Sequence, residues 1–284
     1  MAREIGRPIL LAPRTGELVG DAPDRRIEIL SDRDPLHATW SRYGPGREGP
    51  DLHVHRHHTD LFYVLDGELT IRLGLEDRPV AVPAGALARV PPLVVHGFRN
   101  ASDAEVRYLN LHAPGREFAE YMRARRDGRE FSYDEYPPPD DEGRPPTDAA
   151  IGGGELTTDR PDLRVALLAD VEEIGIAETW TDPGRPAPPP HVHRRHVESC
   201  YVLAGEIAFT AGDGEVRAGA GSWVQVPPGV PHALAFPGDD RVGFLSLHTP
   251  SSGFGSFLRA LNQADDEDVP RAARGRFDLE PADG

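Results

Sequence analysis

The sequence predicts an all-β protein made of two antiparallel barrels in tandem, each built from two sheets. The first observation is an internal repeat, because Gly16-Glu17-Leu18 returns 138 positions later as Gly154-Glu155-Leu156. The second is that each copy consists of short runs rich in β-branched and aromatic residues, separated by turns rich in glycine and proline. The third is length, since 284 residues are enough for two domains of ordinary size.

The strand-like runs occur in the same order in both copies. Trp40 and Trp180 each end one of these runs, and we expect both rings to pack under a barrel. The matched runs are 26–30 with 164–169, 37–40 with 177–180, 63–73 with 201–210, and 108–114 with 244–250.

The repeat divides the chain into a first barrel at 1–130 and a second at 154–284. Between them, 131–153 is rich in proline and glycine, which predicts a linker or an arm laid on a surface. Each copy ends in a short amphipathic helix, 118–125 and 254–261, which we expect to cover a barrel end or an interface between domains. The tail from Asp265 has no apolar pattern, so we expect it to be solvated or partly disordered.

Three histidines and a glutamate in the second copy have the ligand types of a transition-metal site. His191 and His193 are two positions apart, so they project from one face of an extended strand, and Glu198 can return to that face from the next strand. His232 follows a Pro-Gly turn. Imidazole and carboxylate ligands suit Fe, Mn, Ni, Co, Cu or Zn.

The first copy contains the same arrangement in His53, His55, Asp60 and His96. Over the sixteen positions that begin at His53, ten residues are identical to those that begin at His191. Because four ligand-type residues occur twice at matching spacing, we expect that each barrel can hold one divalent metal ion. The second site is our choice for the chemistry.

These motifs resemble those of the cupins. The first cupin motif places a glutamate three or four residues after His-x-His and a glycine six residues further on. The second motif places Pro-x-Gly two residues before a histidine. The resemblance implies two tandem cupin domains, that is, double-stranded β-helix or jelly-roll barrels with short flanking helices. The matching residues of the second copy are His191, His193, Glu198, Gly205, Gly221, Pro227, Gly229 and His232.

The first copy departs from the cupin motifs at two positions. Asp60 replaces the glutamate and is one methylene shorter, so either it stops short of the ion and leaves three histidines plus water, or the backbone moves inward. Leu93 replaces a glycine, and because leucine resists positive φ, we expect a different turn before His96. An alternative register would pair His55 with His57.

The resemblance extends to cupin dioxygenases, including the two-domain quercetinase-like proteins. It implies that the ion binds an organic anion and that the glutamate also accepts a proton, so Glu198 and Asp60 are the candidate catalytic residues. The leading hypothesis is a dioxygenase-type oxidoreductase acting on a small enolisable or aromatic substrate. Metal-assisted isomerisation, decarboxylation or lyase chemistry on a small acid is the alternative, as is a non-catalytic cupin that binds a small molecule.

An arginine near the ion would favour chemistry on acids, and Arg56 and Arg194 are matched candidates in the two copies. Four further histidines also match: we expect His58 and His196 to be exposed or to lie beside the ligands, and His112 and His248 to be structural. Cys200 should share the inward face of Glu198 and pack there as a small apolar side chain.

The composition limits the partners. With 31 basic and 47 acidic residues the net charge is −16, which argues against nucleic acid or an anionic membrane surface and leaves a small molecule. The first residues carry charges and a proline where a signal peptide needs an apolar core, and no run approaches the roughly 20 apolar residues of a membrane helix. A single cysteine favours a reducing compartment. We therefore expect a cytoplasmic, bacterial protein; monomer and homodimer are both open.

Overall fold

Each half of the chain folds into antiparallel sheets, which confirms the predicted all-β architecture. The computed structural model describes residues 7–141, 143–211, 214–263 and 277–282. The chain divides into two units, a first barrel of residues 16–153 and a second barrel of residues 1–15 and 154–284.

The elements alternate between short strands and tight turns in both halves. Through residue 152 they are β1 (Ile9–Leu11), β2 (Glu17–Ala22), β3 (Arg25–Arg33), β4 (Leu36–Tyr43), β5 (Thr59–Asp66), β6 (Glu68–Leu73), β7 (Arg78–Pro83), β8 (Leu87–Val90), β9 (His96–Arg99), β10 (Val106–Ala113), α1 (Phe118–Arg126), a 3-10 helix (Pro146–Asp148) and β11 (Ala150–Gly152). After it they are β12 (Glu155–Arg160), β13 (Leu163–Asp170), β14 (Gly175–Thr181), β15 (His191–Val192), β16 (Val197–Ala204), β17 (Glu206–Ala211), β18 (Gly214–Gly219), β19 (Trp223–Val226), β20 (His232–Ala235), β21 (Val242–Thr249), α2 (Phe254–Gln263) and β22 (Glu280–Pro281).

The first barrel has a seven-stranded sheet in the order β11-β8-β5-β10-β4-β3-β2 and a three-stranded sheet in the order β7-β6-β9. Alternate residues of the strands enter a common core, for example Phe62 and Val64 of β5 and Leu69 and Ile71 of β6, which are all buried. Helix α1 packs against β2, β3 and β4. The core therefore fixes β5, the strand that carries Asp60.

The second barrel repeats this plan. Its seven-stranded sheet runs β1-β19-β16-β21-β14-β13-β12, and its other sheet runs β18-β17-β20-β15-β22. Cys200 of β16 is buried in the core with Val202 and Phe244, as expected for a small apolar side chain. Helix α2 packs against β12 and β13. Both amphipathic helices thus form where the sequence predicts them.

The unit boundaries differ from the predicted ones at two places. Strand β1 pairs with β19, with Ile9 opposite Gln225, so residues 7–15 belong to the second barrel. Strand β11 pairs with β8, with Ala150 opposite Arg89, so the segment expected to be a linker or an arm on a surface belongs to the first barrel. An exposed sheet edge takes up a backbone partner whatever that partner's side chains are, and composition does not reveal such pairing.

The two tryptophans do not occupy equivalent positions. Trp40 lies opposite Leu109 and is buried as predicted, whereas Trp180 lies opposite Gly243, two residues further along its strand. Trp180 donates a hydrogen bond from Nε1 to Glu178 at 2.7 Å. Within the described residues, no helix combines the length and the apolar character that a membrane span requires.

The turn before His96 has the same form in both barrels, so the expectation about Leu93 is wrong. Leu93 adopts φ +69°, and its matched residue Gly229 adopts φ +82°. Each donates its backbone N–H to the carbonyl of a candidate ligand, Leu93 to His55 at 2.7 Å and Gly229 to His193 at 2.6 Å. The hydrogen bond holds the leucine in a conformation that costs a side chain about 1 kcal/mol or more.

Replacing Leu93 with glycine should therefore stabilise the first barrel. Removing the left-handed strain is worth about 1–2 kcal/mol, and the extra freedom of glycine in the unfolded chain takes back about half of that. Denaturant unfolding of L93G measures the net gain, and G229L should show a loss in the second barrel. A lower stability for L93G would mean that the side chain, which is partly exposed, contributes more packing than strain.

Candidate metal centre and cavity

Four candidate ligands converge in the second barrel. His191 on β15, His193 just after it, Glu198 on β16 and His232 on β20 are all buried, and one ligand atom from each lies within 4.8 Å of the others. Strand pairing positions them, because His191 lies directly opposite His232. Glu198 Oε2 lies near all three rings, at 2.8 Å from His232 Nε2, 3.0 Å from His193 Nε2 and 3.7 Å from His191 Nε2.

The outer nitrogens of these rings are fixed by backbone carbonyl groups. A carbonyl oxygen only accepts hydrogen bonds, so each Nδ1 carries the proton, and each Nε2 of a neutral ring presents a lone pair. Three lone pairs and a carboxylate oxygen then face one point. The acceptors are the carbonyl oxygens of Pro189, Asp278 and Val230, at 3.0, 2.8 and 2.9 Å from Nδ1 of His191, His193 and His232.

A cation at the centre of this set would be bound by all four electron-pair donors. Ligands at right angles around an ion, each about 2.1 Å from it, are about 3.0 Å apart, which matches the distances from Glu198 to His193 and His232. Burial raises the pKa of Glu198, but the three histidines outweigh it and hold this pKa well below its usual range. The donor set therefore fits a divalent ion with an ionised glutamate.

The first barrel holds a corresponding set of three buried histidines, His53, His55 and His96. His53 Nε2 and His55 Nε2 are 3.2 Å apart. All three rings again turn Nδ1 to a backbone carbonyl, so their Nε2 lone pairs point inward. The acceptors are the carbonyl oxygens of Asp51, Asp134 and Val94. His57 is exposed, so the alternative register is wrong.

Asp60 approaches only part of this set. Its Oδ2 lies 3.4 Å from His96 Nε2 and 3.7 Å from His55 Nε2, but Asp60 is not within the 4.8 Å group that includes His53. Its other oxygen accepts a hydrogen bond from Asn110 Nδ2 at 2.5 Å. Asp60 thus accepts a hydrogen bond from Asn110, as a carboxylate does. The carboxylate is ionised. Of the two predicted alternatives, the geometry is that in which Asp60 stops short of the ion and does not complete the ligand set.

Exchanging the two acids should move metal affinity in opposite directions. D60E adds the methylene that the first set lacks, so its affinity for a divalent ion should rise about tenfold, or about 1.4 kcal/mol. E198D removes that methylene, and the second set should weaken by a similar factor. Competition with a chelator, read by elemental analysis, measures both. Equal affinities in all variants would show that neither acid ligates the ion.

Two aspartates near the ends of the two repeats lie beside these sets, and the sequence motifs did not predict them. Asp134 accepts hydrogen bonds from His58 Nδ1 at 2.8 Å and from the backbone N–H groups of Arg56 and His57. Asp278 accepts one from the backbone N–H of Arg195. The signal that could have found them is the match of Tyr133-Asp134 with Phe277-Asp278, 144 positions apart.

The tail prediction needs correction. Residues 264–276 lie outside the described part of the chain, but Phe277 and Asp278 are buried and so are not solvated. Phe277 packs on the ring of His193, with centroids 5.3 Å apart. The carbonyl of Asp278 also accepts the hydrogen bond from that ring. This short segment therefore holds a candidate ligand in place.

The four remaining matched histidines, His58, His112, His196 and His248, are all buried beside the ligand sets. In the first barrel His58 Nε2 lies 3.1 Å from His112 Nδ1. In the second, His196 Nε2 lies 3.0 Å from His248 Nδ1. Within each barrel the two rings are neighbours beside the ligand set, and none is exposed.

A cavity of about 230 Å³ opens on the site of the first barrel. Its wall includes His53, His55 and Asp60 of the candidate site. Arg25 of β3 is also part of this wall, and its Nε atom is buried without a hydrogen-bond partner. Among the described residues no carboxylate lies within ion-pair distance of Arg25, and the neighbouring Asp24 pairs with Arg47 at 2.9 Å.

The arginines that the sequence analysis named are not part of this wall. Arg56 is exposed and lies over the ring of Tyr136, 3.9 Å from its centroid. Arg194 is exposed and pairs with Glu280. No sequence motif selects Arg25, which is far from the metal motifs in the chain.

Comparison with known proteins agrees with the fold and the repeat. The family model of the cupin domain matches residues 39–112 and 181–248, so the chain belongs to the cupin family and is a bicupin. Its histidine clusters indicate a site for a divalent metal ion. A search of curated protein sequences gave no match.

Several solved structures share the fold at low sequence identity. Protein Ylba from E. coli is 14% identical with a TM-score of 0.62, covering 87% of this chain and 94% of its own. The formate complex of Lactobacillus farciminis oxalate decarboxylase is 14% identical with a TM-score of 0.60, covering 95% and 97%. A Bacillus subtilis oxalate decarboxylase studied for its Mn(II) centres is 14% identical with a TM-score of 0.59, covering 96% and 89%.

Proposed function

We propose that the chain is a metal-dependent enzyme that acts on a small organic acid in the cavity of the first barrel. The observation that carries this proposal is Arg25, whose buried Nε has no hydrogen-bond partner and which lies in the wall that also contains His53 and His55. A partly buried cation without a counter-ion is costly, and a carboxylate is the planar partner that a guanidinium binds through two parallel hydrogen bonds. This favours the acid alternative over a neutral phenolic substrate.

The remaining parts of the cavity suit chemistry at a carboxylate. A divalent ion bound by His53, His55 and His96 would act as a Lewis acid on a substrate oxygen. Arg25 would orient the carboxylate, and Asp60 would accept or return a proton, because it lies in the cavity wall and does not complete the ligand set. Decarboxylation is the first reaction to test, since two of the solved structures of the same fold are oxalate decarboxylases.

The first barrel replaces the second as our choice for the chemistry. In the second barrel Glu198 lies against His193 and His232, so we propose that this set holds its ion with four protein ligands. In the first barrel a shorter acid leaves more of the coordination sphere to the substrate.

A dioxygenase acting on an aromatic acid is a second candidate. Aromatic side chains form much of the cavity wall, which suits a ring beside the carboxylate. The aromatic members of the wall are Tyr43, Phe98, Tyr108, Phe118, Tyr121 and Tyr133.

The test begins with elemental analysis of the purified protein, followed by separate loading with Mn, Fe, Co, Ni, Cu and Zn. Each form is then given a panel of small mono- and dicarboxylic acids and phenolic acids, while CO₂ release, O₂ uptake and products are measured. We expect metal-dependent turnover of an acid without O₂ uptake. Turnover with O₂ uptake would favour the dioxygenase. Metal binding without any turnover would overturn the enzyme proposal in favour of a binding protein.

A further inference from the structure

We propose that Tyr133 and Asn110 act as a pair of positioning residues that fix the proton arrangement of a buried hydrogen-bonded chain from Asp134 to Asp60. We also propose that the second barrel achieves its arrangement with the complementary pair Phe277 and Ser246. The proton arrangement follows from hydrogen-bond geometry and does not depend on the reaction. Its importance for catalysis rests on the proposed role of Asp60.

The first end of the chain fixes the proton of His58. Asp134 is a carboxylate and only accepts, so the 2.8 Å contact from His58 Nδ1 to its Oδ2 places the proton on Nδ1. A neutral imidazole carries a single proton. His58 Nε2 is therefore a lone pair.

The other end fixes the proton of His112. Asn110 uses its Nδ2 to donate to Asp60 Oδ1 at 2.5 Å and to the carbonyl of Leu61 at 3.3 Å. Its Oδ1 then faces His112 Nε2 at 3.1 Å, which must carry the proton. The single proton of a neutral ring is then on Nε2. His112 Nδ1 is therefore a lone pair as well.

Two nitrogen lone pairs face each other where the two ends meet, and the hydroxyl of Tyr133 supplies the proton that they lack. His58 Nε2 and His112 Nδ1 are 3.1 Å apart and neither has a proton to donate. The hydroxyl of Tyr133 lies 3.1 Å from His58 Nε2 and 3.0 Å from His112 Nδ1. Burial raises the pKa of Tyr133 well above its usual value, so it keeps its proton and shares it between both nitrogens.

The second barrel has neither the asparagine nor the phenol. His248 Nε2 faces Ser246 Oγ at 3.0 Å, and a hydroxyl can donate as well as accept. His248 can then carry its proton on Nδ1 and donate it to His196 Nε2 at 3.0 Å.

His196 Nδ1 lies 3.2 Å from Asp278 Oδ2. The two atoms are not aligned as a hydrogen bond requires, but the carboxylate still favours a proton on this nitrogen. No extra donor is needed, and Phe277 replaces the tyrosine, 4.9 Å from the ring of His248. The matched residues His112 and His248 are thus expected to carry their protons on opposite nitrogens.

The experiment measures these tautomers directly. Nitrogen chemical shifts of ¹⁵N-histidine in the full-length protein should show His112 protonated on Nε2 and His248 on Nδ1. His112 protonated on Nδ1, or the same tautomer for both, would overturn the proposal. Since this comparison uses the unaltered chain, it does not depend on any variant folding, and failure of the proposed enzyme activity would leave it unaffected.

Variants then test the coupling. Y133F should lower the melting temperature by about 5 °C, because two lone pairs are left facing each other. N110S should shift His112 to the Nδ1 tautomer, and adding Y133F to N110S should cost less than half as much as Y133F alone. Y121F is the matched control, since Tyr121 stacks on Tyr133 but its hydroxyl bonds to Arg125. Equal losses for Y133F in both backgrounds would show that Tyr133 only fills space.

Discussion

Replacing Arg25 with leucine should reduce kcat/KM for the acid substrate about 100-fold, mainly through a higher KM. A charge-assisted pair of hydrogen bonds to a carboxylate is worth about 1.5–3 kcal/mol, and the loss of about 2.7 kcal/mol corresponds to that factor. The effect falls on KM because the guanidinium binds the carboxylate before and during the reaction alike. Steady-state kinetics of the metal-loaded enzyme measure the change.

Two further variants make this result specific to Arg25. R25K keeps the charge but loses the fork of donors, so it should recover only part of the affinity. R56L removes an exposed arginine that lies over Tyr136 and is outside the cavity wall, and its kinetics should match those of the original enzyme. Unchanged KM in R25L would place the acid elsewhere and remove the main support for the proposed substrate class.

The sequence was sufficient to predict the barrels and both histidine sets. The His-x-His spacing on a strand and the histidine after the Pro-x-Gly turn determine which side chains share a face, and these distances are local. The same spacing predicted Glu198, whose side chain reaches the set. The spacing did not predict whether the carboxylate of Asp60 reaches the histidines. That depends on one methylene group and on how far the packing of β5 places Asp60 from the rings.

The remaining site residues come from segments without a pattern. Asp134 and Tyr133 lie in a stretch rich in proline that composition assigns to a linker, yet they return to the rings of His58 and His112. Arg25 faces the cavity from a strand two sheet positions away from β10. Strand periodicity predicts which face a residue occupies, but it does not predict which distant segment covers that face.

Substituting Asp134 with alanine should destabilise the first barrel by about 3 kcal/mol or more. Its carboxylate is buried and satisfies His58 and two backbone N–H groups, all of which would be left without an acceptor. The same loss releases the segment whose carbonyl holds the ring of His55. We therefore expect weaker metal binding at the first site together with a lower melting temperature, measured by calorimetry and elemental analysis.

The D134A substitution should also change how the free energy of unfolding depends on pH. Burial raises the pKa of Asp134, but the hydrogen bonds from His58 and the two amides outweigh burial and lower the pKa to about 2. A carboxyl with a lowered pKa contributes stability above its unfolded value of 3.8, and that contribution is lost as the pH falls towards 2. D134A should therefore show a flatter decline over this range than the original protein.

The control for both measurements is D127A. Asp127 is an exposed acid that pairs with Arg126 on the surface, and removing it should cost less than about 0.5 kcal/mol. D278A should cause a corresponding loss of stability and of metal binding in the second barrel. Asp278 accepts a hydrogen bond from the backbone N–H of Arg195, and its carbonyl holds the ring of His193. If D134A were as stable as D127A, the segment that begins at Tyr133 would not contribute to the stability of the first barrel. The ring of His55 would then have to be oriented by other contacts.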